Sequence, residues 1–178
     1  MKKCFSLTTF WLLLFAGQRY ALAFYTPEGA ALAQQFISQS TNPQLQKQYL
    51  WLTPQIQAQI QAILGHRYPK IRLPYWQHQN KNTFIWVLEE KGKDLPITVG
   101  IVIKDQKIDQ LRILKFRESR GWEVKYPSFT QQFNHAQIKQ NQLSKQIDGI
   151  SGATLSVNAV KKLAKLALIL THEVENKK

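Results

Sequence analysis

The sequence predicts an α+β fold: a twisted antiparallel β-sheet with helices packed on one face of it, preceded by an N-terminal helical segment. Three observations carry this. Thr83–Leu88, Ile97–Ile103 and Ile108–Phe116 are consecutive runs of β-branched, aromatic and aliphatic residues separated by short polar turns, the pattern of an antiparallel meander. From Leu155, about twenty residues run without Gly or Pro and with apolar residues at helical spacing. Between Glu28 and Leu64 the chain is rich in Ala, Gln and Leu, and its breaks fall at Asn42-Pro43, Thr53-Pro54 and Gly65.

At the amino terminus, Lys2 and Lys3 precede an apolar run from Phe5 to Ala16, and Ala21-Leu22-Ala23 has the small-x-small spacing of a signal peptidase site. Residues 1–23 therefore read as a signal peptide cleaved after Ala23, and the protein as periplasmic. The run is short for a membrane span and Gln18-Arg19 interrupts it, which leaves an uncleaved anchor as the alternative. Cys4, the single cysteine, lies in this segment, so the rest of the chain has no disulfide and no thiolate ligand. His66, His78, His135 and His172 stand singly, without metal-ligand spacing, and no metal is expected. Three bases and no acid lie in residues 1–23, so twenty-one basic residues face eleven acidic ones in the remainder. That excess favours anionic ligands, acidic partners or anionic lipid surfaces. Export, and basic residues spread without interleaved aromatics, argue against nucleic acid.

Residues 24–70 make up the N-terminal helical segment in this reading. Glu28 to Gln39 is a helix with Ala30, Ala31, Ala33, Phe36 and Ile37 as its apolar members, and Gln44 to Leu52 is a second. Thr53 then caps a third, with Pro54 at its first position, Ile56, Ile60, Ile63 and Leu64 on its apolar face and Gly65 at its end. The domain over 71–178 opens on an extended stretch, Lys70 to Trp76, whose Tyr75-Trp76 pair reads as core filling. Polar turns at Asn80–Asn82, Glu89–Asp94 and Lys104–Lys107 separate the strands, and the third strand alternates through Leu111, Ile113 and Lys115.

The last helix places Val160, Leu163, Ala164, Ala167, Leu168 and Thr171 on one face and Lys161, Lys162, Lys165 and Glu173 on the other. The loop Asp148-Gly149-Ile150-Ser151-Gly152-Ala153-Thr154 feeds it. The first turn of such a helix offers unpaired N–H groups and the positive end of the helix dipole, which suits a phosphate, and Gly152 and Ala153 are small enough to admit one. An ordinary N-cap supplied by Ser151 or Thr154 fits the same residues. After the third strand comes Arg117-Glu118-Ser119-Arg120-Gly121-Trp122-Glu123-Val124. This is either a ligand-holding loop at a strand end or a charged turn with Gly121 making the bend.

Asp148-x-x-Ser151-Gly152-Ala153-Thr154 resembles the motif of the FMN-binding domain family, which includes the periplasmic flavin subunits of the sodium-translocating quinone reductase and of the Rnf complexes. The resemblance runs from about Ile97 to Leu170. Glu118, Gly121, Phe129 and Phe133 hold places comparable to the family's Glu-Thr-Pro-Gly-Leu-Gly segment and Phe-x-x-x-Phe helix, whereas Ser119-Arg120 and Trp122 replace its Thr-Pro and Leu.

The resemblance implies that a dedicated flavin transferase cleaves FAD and joins FMN through its phosphate to Thr154. Ser151, Gly152, Ala153 and Ser156 would shape the phosphate site, and Asp148 would serve the transferase or the loop. Trp122 offers a surface for the flavin ring, and Arg120 or Arg117 offers positive charge. Glu118 offers an acceptor for a ring N–H or a partner for an arginine. The implied function is electron transfer between redox partner proteins, with peripheral association with membrane redox complexes and no catalytic residue of the chain's own. The alternative is a non-redox periplasmic binding or sensory module that uses the same fold and a basic surface. A self-contained flavin reductase finds little support, since no His, Cys or Tyr stands as an acid–base group in the motif regions.

Overall fold

The structure, a computed structural model, describes residues 31, 34–38, 45–80 and 82–177, so the expected signal peptide and its cleavage site lie outside the described residues. Five strands, β1 (Leu45–Trp51), β2 (Arg72–His78), β3 (Thr83–Lys91), β4 (Pro96–Lys104) and β5 (Lys107–Lys115), form one antiparallel sheet in chain order. Helix α1 (Pro54–Leu64) lies between β1 and β2. After β5 come a short helix α2 (Pro127–Thr130), a small hairpin of β6 (Ile138–Lys139) and β7 (Gln142–Leu143), and the 23-residue helix α3 (Thr154–Asn176). The class is the α+β sheet with helices that the sequence predicts.

α1 forms where the sequence places it. The Thr53 hydroxyl accepts from the Ile56 N–H at 3.4 Å, Pro54 starts the helix, and Gly65 ends it in the left-handed conformation. The stretch before it differs. Gln44–Leu52 is not a helix, because Leu45–Trp51 pairs with His78–Arg72 over seven residues as the edge strand of the sheet. Residues 24–70 are thus not helical throughout. Gln, Lys and Leu favour a helix weakly, and the β2 ladder overrides that preference.

The sheet is covered on both faces, not one. Phe84, Trp86 and Leu88 of β3 and Ile97, Val99, Ile101 and Ile103 of β4 join α1 and α3 in the main core. On the opposite face Ile85, Val87 and Val102 pack with Phe36, from the helical residues 34–38. A Cβ on Gly100 would lie 2.6 Å from the Phe36 ring, so a glycine is needed there for the close approach. Burial on both faces explains why Thr83–Leu88 reads as a continuous apolar run instead of an alternating one. Tyr75 stacks on Trp86 at 5.0 Å in the main core and Trp76 packs on the other face, in line with the core reading of that pair.

α3 docks on the sheet as its periodicity predicts, with Val160, Leu163, Ala164, Ala167, Leu168 and Thr171 all buried. One polar bond fixes its position: Trp86 Nε1 donates to Thr171 Oγ1 at 2.8 Å inside the core. Thr171→Val keeps the shape and strands that indole N–H, so urea unfolding should show a loss of about 1–3 kcal/mol. A register shift between Thr98 and Val99 leaves Leu114 outside the ladder and bends β5 as it enters the Arg117–Val124 loop.

Candidate functional site

The two stretches singled out in the sequence meet in space. A cavity of about 600 Å³ is lined by Glu118, Ser119 and Arg120 from the loop after β5 and by Gly152 to Ser156 at the start of α3. Lys93, from the β3–β4 turn, completes it.

Gly121 is the contact that joins the stretches. It adopts φ +81°, and a Cβ there would lie 2.9 Å from Ala153 Cβ and 3.3 Å from Ser156 Oγ. The position needs glycine both for its backbone conformation and for the space. Ala153 and Ser156 are correspondingly buried.

The start of α3 rules out the N-cap reading of the loop. Ala153 occupies the N-cap and no side chain caps the helix, so Ser151 and Thr154 do not serve as caps. The first intrahelical bond is Val157 N–H to Ala153 O at 3.0 Å, which leaves the Thr154, Leu155 and Ser156 N–H groups without helical partners. Gly152, at φ +77° with nothing within 4 Å of a Cβ, keeps the approach to those groups open. Thr154 is exposed at the first helical position, and no hydrogen bond to its hydroxyl occurs among the described residues. Asp148 does not line the cavity. Its backbone N–H donates to Gln132 Oε1 at 2.7 Å, which anchors the loop, and its side chain faces solvent. Ser151 is exposed and outside the lining as well.

The charged residues of the other loop divide sharply. Arg117 is structural: it donates to Pro96 O and Thr98 Oγ1, both at 3.0 Å, and pairs with Glu89 at 3.5 Å. It is therefore committed to β3 and β4 and is not a source of charge for a ligand. Arg120 is exposed and makes no hydrogen bond or ion pair among the described residues, so its guanidinium is available. Glu118 pairs with neither arginine; its Oε1 accepts from the Asp94 and Leu95 N–H groups at 2.8 and 3.0 Å and so holds the β3–β4 turn.

Partial burial raises the Glu118 pKa, but bonds from the Leu95, Asp94 and Lys93 N–H groups and the Lys93 charge outweigh it and leave the carboxyl below its ordinary value. A carboxylate with a lowered folded-state pKa adds stability above its unfolded value, which is lost as pH falls through the folded one. The Asp94 and Leu95 amide shifts should therefore titrate together in NMR spectra with a midpoint below 4.5, the ordinary glutamate value. A midpoint at or above that value would remove Glu118 from this role.

Trp122 is half exposed, meets Tyr126 edge-on at 5.1 Å, and is not part of the cavity lining. Phe129 and Phe133 meet edge-on at 5.5 Å inside the core and brace the loop from below. Lys93 and Leu155 belong to the site and were not legible as such. Lys93 arrives only through the Glu118 bonds to its turn, and Leu155 reads as an ordinary apolar member of the helix.

Among the described residues the donor set suits a phosphate group: N–H groups without partners at a helix start, a facing arginine, an unbonded hydroxyl, and a ligand-sized cavity. Residues 92–169 match the family model described as the FMN-binding domain, and over this stretch the chain carries that domain. The match spans both loops and most of α3, and it supports FMN binding by this chain. No curated protein matches the chain.

Proposed function

We propose that this FMN-binding domain carries its FMN covalently, through the phosphate, on Thr154, and serves as an exported electron carrier between redox partners. The observation that carries the reading is the position of Thr154, whose exposed hydroxyl stands at the first position of an uncapped helix in the cavity it shares with Arg120. A flavin transferase would break the pyrophosphate of FAD with AMP as the leaving group, and the chain would supply the acceptor hydroxyl, whose proton is lost as the phosphoester forms. The N–H groups of Thr154, Leu155 and Ser156 bind and orient the phosphate, and Arg120 offsets its charge. Gly121 holds the two loops together, and Glu118 fixes the turn that presents Lys93. FMN, when bound, supplies one- and two-electron redox chemistry.

The cavity is open and holds no His, Cys or Tyr among its lining residues, which favours electron exchange with another protein over acid–base chemistry on a bound substrate. Among the described residues no helix is long and apolar enough to cross a membrane. In this reading association with membrane redox complexes is peripheral, and residues 1–23 direct periplasmic export. The test is visible absorbance after co-production with a flavin transferase, urea denaturation and desalting. Flavin that stays with the polypeptide supports the covalent link, and flavin that washes out refutes it.

A further inference from the structure

A second cavity, of about 510 Å³, adjoins the first along α3: Leu155 lines both, and Gly92 in the second precedes Lys93 in the first. Its wall is apolar where Ile63 of α1, Ile147, Leu155 and Ala159 face it. Five lysines stand around that wall: Lys91 at the end of β3, Lys145 after β7, and Lys161, Lys162 and Lys165 on α3. Among the described residues no acidic one lines it.

Two of these ammonium groups are fixed by backbone carbonyls. Lys162 Nζ donates to Leu64 O at 2.9 Å, at the end of α1, and Lys145 Nζ donates to Asn134 O at 2.7 Å. Such bonds hold the charges in place without cancelling them. The side chains of Lys91, Lys161 and Lys165 make no hydrogen bond or ion pair among the described residues. The carboxylate of Glu173 lies in the neighbouring cavity, where Gln59 Nε2 donates to it at 2.9 Å. Like charges gathered around one concavity repel one another, and an entering anion relieves that repulsion.

We propose that this cavity binds a small organic anion, with two or more negative charges and a compact apolar body. Its size falls in the range of about 300–1,000 Å³ that encloses small molecules. The apolar wall favours an organic anion over an inorganic one, because phosphate alone would leave that wall wet. The apolar wall between the lysines suits a small molecule whose own apolar body covers it. The site does not depend on flavin at Thr154.

The probe is 1-naphthyl phosphate, titrated calorimetrically into the purified full chain beside inorganic phosphate of similar charge. The expected result is saturable binding at least tenfold tighter for the naphthyl ester. Lys91→Gln/Lys161→Gln/Lys165→Gln, which removes no protein hydrogen bond, should weaken it at least tenfold. Lys104→Gln/Lys107→Gln, at the β4–β5 turn, should leave it unchanged. Thr154→Val should bind equally well, which separates this site from the fate of the flavin reading. Equal affinity for the two anions, equal loss in both lysine variants, or failure to saturate would overturn the proposal. Stronger binding of poly-glutamate than of the naphthyl ester would also overturn it, in favour of an acidic protein partner.

Discussion

Thr154→Val is expected to abolish covalent flavin and to leave the fold intact. Valine keeps the branched shape at the first position of α3 but has no oxygen to join to a phosphate. No hydrogen bond is lost among the described residues and the side chain is exposed, so stability should stay within about 0.5 kcal/mol of the parent. The check is flavin fluorescence on a denaturing gel beside a urea melt, for both proteins made with a flavin transferase. The parent band fluoresces and the variant band is dark at an unchanged midpoint. A fluorescent variant band would place the attachment elsewhere on the chain.

The second large effect falls at Gly121, and Gly152 is its control. Both residues have positive φ, at +81° and +77°, so alanine at either costs about 1–2 kcal/mol from backbone strain. At Gly152 nothing lies within 4 Å of the added methyl, and the cost stops there. At Gly121 the methyl meets Ala153 Cβ at 2.9 Å, which adds an overpacking cost of about 1–3 kcal/mol. The expected total for Gly121→Ala is roughly 2–5 kcal/mol in a urea melt. Because the methyl wedges apart the loops that carry Arg120 and Thr154, flavin incorporation should fall with stability. Equal destabilisation by the two substitutions would show that the loops do not pack through Gly121.

Much of this was legible in the sequence, for identifiable reasons. β3, β4 and β5 have long apolar runs and tight polar turns, and α3 has 3.6-residue periodicity over its whole buried face; both signals are local. Thr53-Pro54 and Gly65 mark the ends of α1 by capping chemistry that acts over a few residues. β1 lacked such a signal. Only Leu50 is buried in its seven residues, so no alternation survives in the sequence, and its state is set by pairing with β2. The cover on the second face was hidden for a related reason, since Phe36 looks like any apolar member of a helix until Gly100 is placed beneath its ring.

At the site, the residue types were legible and their division of labour was not. Arg117 and Arg120 look alike in the sequence. One is drawn into the sheet by Thr98 and Glu89, and the other is left to face Thr154. Glu118 stands where a ligand contact was expected, yet its carboxylate is occupied by the β3–β4 turn, a partner more than twenty residues away in the chain. Asp148 and Trp122 lie beside the cavity residues in sequence without lining the cavity. Long-range hydrogen bonds decide the placing of Arg117, Glu118 and Asp148, and periodicity carries no information about them.

Peptide mapping by mass spectrometry across Ile147 to Lys161, on protein produced and exported together with a flavin transferase, reads the proposed ester at Thr154 atom by atom. The expected spectrum shows an FMN-phosphoryl adduct whose fragment ions localise to Thr154. An unmodified peptide, or an adduct localised to Ser151 or Ser156, would contradict it.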